Sequence, residues 1–180
     1  MDGVAQLDEI IPMLEEIVQR MSAGGLDAQT PCSEWTVRDV LAHMTQGAAQ
    51  FTGAFRGEDP KPVPDGEPVQ TWRTAVQGLL QAVHTPGSQE RTIASPFGDV
   101  PGALFARFVA LDGLLHASDL SAATGQPYAP REELVLAVDG FAREAVTEDM
   151  RAMGMFAPER VAAEGAGALE RLLAFSGRQA

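Results

Sequence analysis

Two side chains of this sequence, Asp112 and His116, have the types and the spacing of paired metal ligands. From Ala103 to Leu115 the chain reads ALFARFVALDGLL, with Arg107 and Asp112 as its only charged residues, and His116 follows directly. A carboxylate on an apolar helix is costly to bury unless a proton, an ion partner or a metal offsets its charge. Positions i and i+4 share a helix face, so Asp112 and His116 aim at the same spot. His43, in an earlier segment of similar apolar character, is the third candidate. Two imidazoles and one carboxylate suit zinc, and equally nickel, iron or manganese. Three protein ligands would leave a fourth position for water or a substrate, as catalytic zinc sites do. The same residues also fit a metal-free arrangement, in which a neutral His43 is hydrogen-bonded to Asp112.

Other chemistry-bearing residues divide between site and scaffold. Asp119 lies at i+3 from His116, where it would either orient the imidazole from behind or stand as a solvated charge near a helix end. His84, beside Thr85-Pro86, reads as a surface residue at a helix C-terminus, and Asp39 as a first-turn carboxylate. Cys32 precedes a helix by a few residues; it is either a thiol tuned by that helix's N-terminus or a loop cysteine packed on the core. Gln46 and Gln50 follow His43 on roughly its own face, lining a pocket or facing solvent. The sequence holds no Ser-His-Asp set, no CxxC and no phosphate-cradling glycine loop, so any catalysis would rest on the metal centre.

The elements that must position these residues are helical. At 180 residues the chain has the length of one domain, and 1–180 is expected to be a single unit. A net charge of −12 argues against nucleic acid and against anionic lipid surfaces. No apolar run reaches the ~18 to 20 residues of a membrane span. The acidic start MDGVAQLDE lacks the pattern of a signal peptide, and one cysteine excludes an internal disulfide, which together point to a cytoplasmic protein.

Leu7, Ile10, Ile11, Leu14, Ile17, Val18 and Met21 follow helical spacing, with Pro12 predicting a start near residues 9 to 11 or a kink, and Gly24-Gly25 a stop. Thr36 with Asp39 predicts a capped helix from about Val37 to Phe55. GEDPKPVPDGEP, residues 57 to 68, cannot be a regular element. A third helix is expected from about Val69 to Val83, with Trp72, Val76, Leu79 and Val83 buried. A connector with a short extended piece around Arg91 to Ala94 follows. Pro101 then reads as the first residue of a fourth helix that Gly125 closes. Leu134, Val138, Phe141 and Ala145 signal a fifth helix, and ALERLLAFSG a short sixth ending at Gly177. The fold class is therefore all-α: a four-helix bundle with a long crossover connection and extra short C-terminal helices. Such a bundle could pair as a homodimer, although no exposed apolar stripe stands out in the sequence.

Three segments carry a family resemblance. TPCSEWTVRDVLAHM (Thr30 to Met44) resembles the signature TPC-x-x-W-x-V-x-D-L-x-x-H, and LDGLLHASDLSAATGQ (Leu111 to Gln126) resembles D-x3-H-x-x-D-L-x-x-A-T-G-Q. ALERLLAFSGRQ (Ala168 to Gln179) is similar to the closing L-x-R-L-L-A-F-x-G-R. The chain thereby resembles the DinB-like, YfiT-like metal-binding proteins, in the group related to the N-terminal domain of mycothiol-dependent maleylpyruvate isomerase. That resemblance implies a four-helix bundle holding a divalent metal, usually zinc, at the positions of His43, Asp112 and His116. Two departures matter. The isomerase resembles a Glu-x3-His pattern where this chain has the shorter Asp112, and it carries a further C-terminal domain that 180 residues cannot include in full. Maleylpyruvate isomerisation is therefore not expected.

Two function classes remain open. One is a metal-dependent enzyme: relatives that use mycothiol imply a thiol transferase acting on a small electrophile, with a hydrolase as the lesser variant. The other is a non-catalytic binding module whose metal, or metal-free His-Asp network, only fixes the core.

Overall fold

The computed structural model describes residues 1–21, 24–32, 35–95 and 98–179. Its described residues are mostly helical, an all-α bundle with one small two-stranded sheet. They group into two compact units, Asp2–Tyr128 and the segment from Ala129 onward.

The first unit holds α1 (Gly3–Gln19), a single 3-10 turn at Gly25–Asp27, α2 (Val37–Arg56), α3 (Pro68–Val83), the strands β1 (Thr92–Ser95) and β2 (Gly98–Pro101), and α4 (Gly102–Thr124). Helix α1 begins earlier than Pro12 predicts, because Asp2 caps it by accepting from the Ala5 amide at 2.9 Å. Pro12 lies on the exposed side of α1, and its missing N–H removes only one backbone bond from a helix held by the opposite, apolar face. The helix ends at Gln19 with Arg20 as its cap, before the expected Gly24-Gly25; Gly25 instead opens the 3-10 turn.

Helix α2 starts as its sequence requires. The Thr36 side chain accepts from the Asp39 amide, and the Asp39 carboxylate accepts from the Thr36 amide at 2.8 Å, a reciprocal capping box. That exposed carboxylate sits below the usual carboxylate range because Thr36 donates to it from both hydroxyl and amide. Helix α3 buries Trp72, Val76, Leu79 and Val83 as expected, and Glu67 caps its start. The extended piece is β1, which pairs antiparallel with β2 from Thr92–Pro101 to Ser95–Gly98. Pro101 therefore ends a strand and serves as the N-cap of α4 rather than as its first residue. Gly125 closes α4 in the left-handed conformation, φ 66°, where a side chain would be strained.

In this unit α1 packs on α4 and α2 on α3, while α1–α3 and α2–α4 contacts close the ring. The steps α1 to α2 and α3 to α4 thus cross the bundle, which is why residues 20–36 and 84–101 are long. Helix α4 is buried on nearly every side, from Phe105 through Leu111, Leu114 and Leu115 to Leu120. Each such side chain contributes about 1.5–3 kcal/mol by leaving water. Gly3 allows α1 to approach this closely: a Cβ there would lie 2.6 Å from the Arg107 nitrogen on α4.

The second unit holds α5 (Glu132–Ala145), a short α6 (Glu148–Ala152) and α7 (Ala168–Phe175). Leu134, Val138 and Phe141 of α5 are buried as predicted, and α5 packs on α7. The guanidinium groups of Arg143 and Arg151 lie 4.8 and 5.0 Å from the centre of the Phe175 ring. The one-turn α6 has too few residues to leave a periodic signal in the sequence.

Candidate metal centre

The α2–α4 contact brings His43, Asp112 and His116 to one place. Asp112 Oδ1 lies 3.5 Å from His43 Nε2 and 3.4 Å from His116 Nε2. The two imidazoles meet edge to face with centroids 5.0 Å apart. One ligand atom from each residue lies within 4.8 Å of the others. The cluster is asymmetric: the His43 and Asp112 side chains are 41% and 38% exposed, whereas His116 is 7% exposed. One side of the site therefore faces solvent while His116 anchors it in the bundle.

Burial works against charge on Asp112 and His116 alike, yet their mutual attraction wins. The charge of His116, reinforced by its contact and that of His43, holds the Asp112 carboxyl well below the usual carboxylate range. Reciprocally, Asp112, with hydrogen bonds to Asp119 and Cys32, raises His116 well above an ordinary histidine. This pairing, with the partial exposure of Asp112 to solvent, explains how α4 tolerates a carboxylate.

Asp119 is the orienting residue of its two sequence readings. It is 1% exposed, and its Oδ2 lies 3.0 Å from His116 Nδ1. A carboxylate can only accept, so this contact places a proton on Nδ1 and turns Nε2 toward Asp112. Cys32 reaches the same oxygen, donating from Sγ at 3.1 Å. His84 lies apart from the cluster as the cap of α3, 2.8 Å from Asp8, a partner the sequence does not reveal. Gln46 and Gln50 are exposed.

Trp35 was not singled out by residue chemistry. Its ring lies 5.0 Å from that of His43 and stacks at 6.1 Å on that of His116, covering both imidazoles. The loop before α2 builds this position locally. Trp35 donates its amide to the Cys32 carbonyl at 3.0 Å, and its own carbonyl accepts from the Thr30 amide at 3.0 Å and hydroxyl at 2.8 Å. The one sequence signal for it is the Trp of TPC-x-x-W. A cavity of about 460 Å³ lies elsewhere in the unit, between α2, α3 and the proline-rich loop, and includes none of the cluster.

The fold and the cluster define a class: a helical bundle with two imidazoles and a carboxylate converging from facing helices. More narrowly, the chain belongs to the mycothiol maleylpyruvate isomerase N-terminal domain family, a DinB-like group, whose model matches residues 7–121. That match contains all three cluster residues and lies within the first unit. The chain is also similar to two uncharacterized proteins of Mycobacterium tuberculosis, from strains CDC 1551 / Oshkosh and ATCC 25618 / H37Rv. Each is 34% identical over 164 residues, covering 90% of this chain and 90% of the relative. No solved structure matches significantly. Among the described residues no helix is long and apolar enough to cross a membrane.

Proposed function

We propose that the chain binds one divalent metal, zinc foremost, through His43 Nε2, an Asp112 oxygen and His116 Nε2, and that this centre serves transfer of a small thiol to an electrophile. The carrying observation is a pair of distances. At 3.5 and 3.4 Å, the two nitrogens stand farther from Asp112 Oδ1 than good hydrogen bonds of about 2.7–3.2 Å allow. They are close to the edge of a tetrahedron with metal–ligand bonds near 2.0–2.1 Å, roughly 3.3–3.4 Å. The donor set thus fits the ion that the family resemblance implies, and the shorter Asp112 reaches both imidazoles without help from a longer side chain.

A bound zinc ion supplies a lowered pKa to a thiol or water that reaches it. The chain's own residues do the rest. Asp119 accepts a hydrogen bond from Nδ1–H of His116 and so keeps Nε2 turned toward the site. His43 and Asp112 leave the exposed side for an incoming molecule, and Trp35 shields the imidazoles from the loop side. The family match, with its mycothiol-using namesake, favours a thiol over water as that molecule. The test is zinc-loaded protein with mycothiol and 1-chloro-2,4-dinitrobenzene, following the sulfur–carbon bond that forms as chloride leaves and the thiol proton passes to buffer. Turnover that disappears in Asp112→Ala supports the reading. Absence of turnover, with no effect of mycothiol on the spectrum of cobalt-loaded protein, would leave a metal-binding module without this chemistry.

A further inference from the structure

Resting on the metal reading above, we infer that Cys32 is a positioning residue for this centre: its thiol holds the Asp119 carboxylate where Asp119 can orient the His116 ring. Two donors converge on one oxygen, Cys32 Sγ at 3.1 Å and His116 Nδ1 at 3.0 Å from Asp119 Oδ2. They come from different parts of the chain, the loop before α2 and α4 itself. Asp119 is 1% exposed, so a carboxylate turned away from these donors would lose contacts that water cannot replace. The Cys32 backbone works in the same direction. Its carbonyl accepts the Trp35 amide at 3.0 Å and the Thr30 hydroxyl at 3.2 Å, which holds Trp35 against both imidazoles. One residue therefore ties the covering aromatic ring to the buried acceptor.

The alternative is that Cys32, His116 and Asp119 form a second ligand set, since their donor atoms also lie within 4.8 Å of one another. Distance separates the roles. A tetrahedral edge between a thiolate on a 2.3 Å bond and a carboxylate oxygen is about 3.5 Å. The Sγ–Oδ2 distance of 3.1 Å is shorter than that edge, and Nδ1–Oδ2 at 3.0 Å is a hydrogen bond, shorter than the edge of roughly 3.3 Å for a nitrogen–oxygen pair. The first set shows the opposite pattern, too long for good hydrogen bonds and right for a shared ion. The thiol in this role donates to Asp119 and touches no metal.

The experiment measures Zn²⁺ affinity by competition with a chromophoric chelator for the parent, Cys32→Ala and Cys32→Ser. Cys32→Ala is expected to bind Zn²⁺ about threefold to tenfold more weakly, the size of one net hydrogen bond. Cys32→Ser, which restores a donor, should recover most of the loss. A packing role alone would leave the serine variant as weak as the alanine variant, and that result overturns the proposal; so does an unchanged affinity in Cys32→Ala. A sulfur-to-metal charge-transfer band in Co²⁺-loaded parent overturns it too, by making Cys32 a ligand. Should the parent bind no Zn²⁺, the metal reading itself fails. The Cys32–Asp119 link is then judged by urea unfolding of metal-free Cys32→Ala, Asp119→Asn and the double variant. Non-additive effects uphold the link, and additive ones reject it.

Discussion

His116 faces Asp119 with Nδ1 at 3.0 Å and Asp112 with Nε2 at 3.4 Å, so a single buried imidazole joins an orienting carboxylate to a ligand carboxylate. The first contact decides what the second can be. With Nδ1–H donating to Asp119, only Nε2 is left to face Asp112: in the metal-free protein its proton pairs with that carboxylate, and a metal would take the proton's place.

Asp119→Asn should therefore weaken metal binding more than its distance from the ion implies. An asparagine either turns an amide donor toward Nδ1 or leaves a weaker acceptor there. Loss of such a hydrogen bond behind a ligating histidine lowers metal affinity by about tenfold to a hundredfold. Chelator competition with Zn²⁺ measures it, and an unchanged affinity would remove Asp119 from the centre.

The metal-free protein should show a two-sided pH dependence from the Asp112–His116 pair. Asp112 is lowered in the folded state, so its contribution is present above the unfolded value of about 4 and is lost as pH falls through the folded one. His116 is raised, so its contribution is full below the unfolded value of about 6.5 and is lost as pH rises through the folded one. The pair therefore stabilises most between about pH 4 and 6.5. Urea midpoints across pH should lose the alkaline decline in His116→Ala. Zn²⁺ uptake near neutral pH should release a proton, read by calorimetry in buffers of different ionisation enthalpy.

Trp35 should report the ion optically. Its ring stacks on His116 at 6.1 Å and lies 5.0 Å from His43, whereas the other tryptophan, Trp72, is fully buried in α3. Metal loading that draws the imidazoles together should change tryptophan emission, and Trp35→Phe should abolish that change while Trp72 continues to fluoresce. A response that survives Trp35→Phe would place the perturbation elsewhere.

Gly3→Ala should destabilise the first unit by about 1–3 kcal/mol, because the added methyl group would meet the α4 backbone at 2.6 Å. Urea unfolding of metal-free protein tests it. A neutral effect would mean that α1 and α4 can separate at that end without cost.

Helices and ligands differ in how much of them the sequence discloses. Thr36 with Asp39, the Trp72 to Val83 stripe and Gly125 fix helix ends and faces through local chemistry, and the structure follows them. Pro12 misleads as a start signal because a proline on an exposed face costs one hydrogen bond, while Leu7, Ile10, Ile11 and Leu14 bury a whole helix face. Asp112 and His116 are legible as a pair because i, i+4 geometry is local. The approach of His43 depends on α2–α4 packing, which no local pattern encodes, so its residue type and apolar context made it a candidate and the resemblance alone set it beside the pair. The Cys32–Asp119 contact spans 87 residues, and the Trp35 ring meets one imidazole from α2 and one from α4; neither leaves a periodic trace.

The most direct test is metal content by mass spectrometry on tag-free protein, as purified and after Zn²⁺ loading, for the parent, His43→Ala and His116→Ala. The account predicts close to one metal per parent chain and loss of it in both variants. A parent that cannot be loaded, or a His43→Ala variant that holds as much zinc as the parent, would contradict it and leave Asp112 and His116 as a structural ion pair.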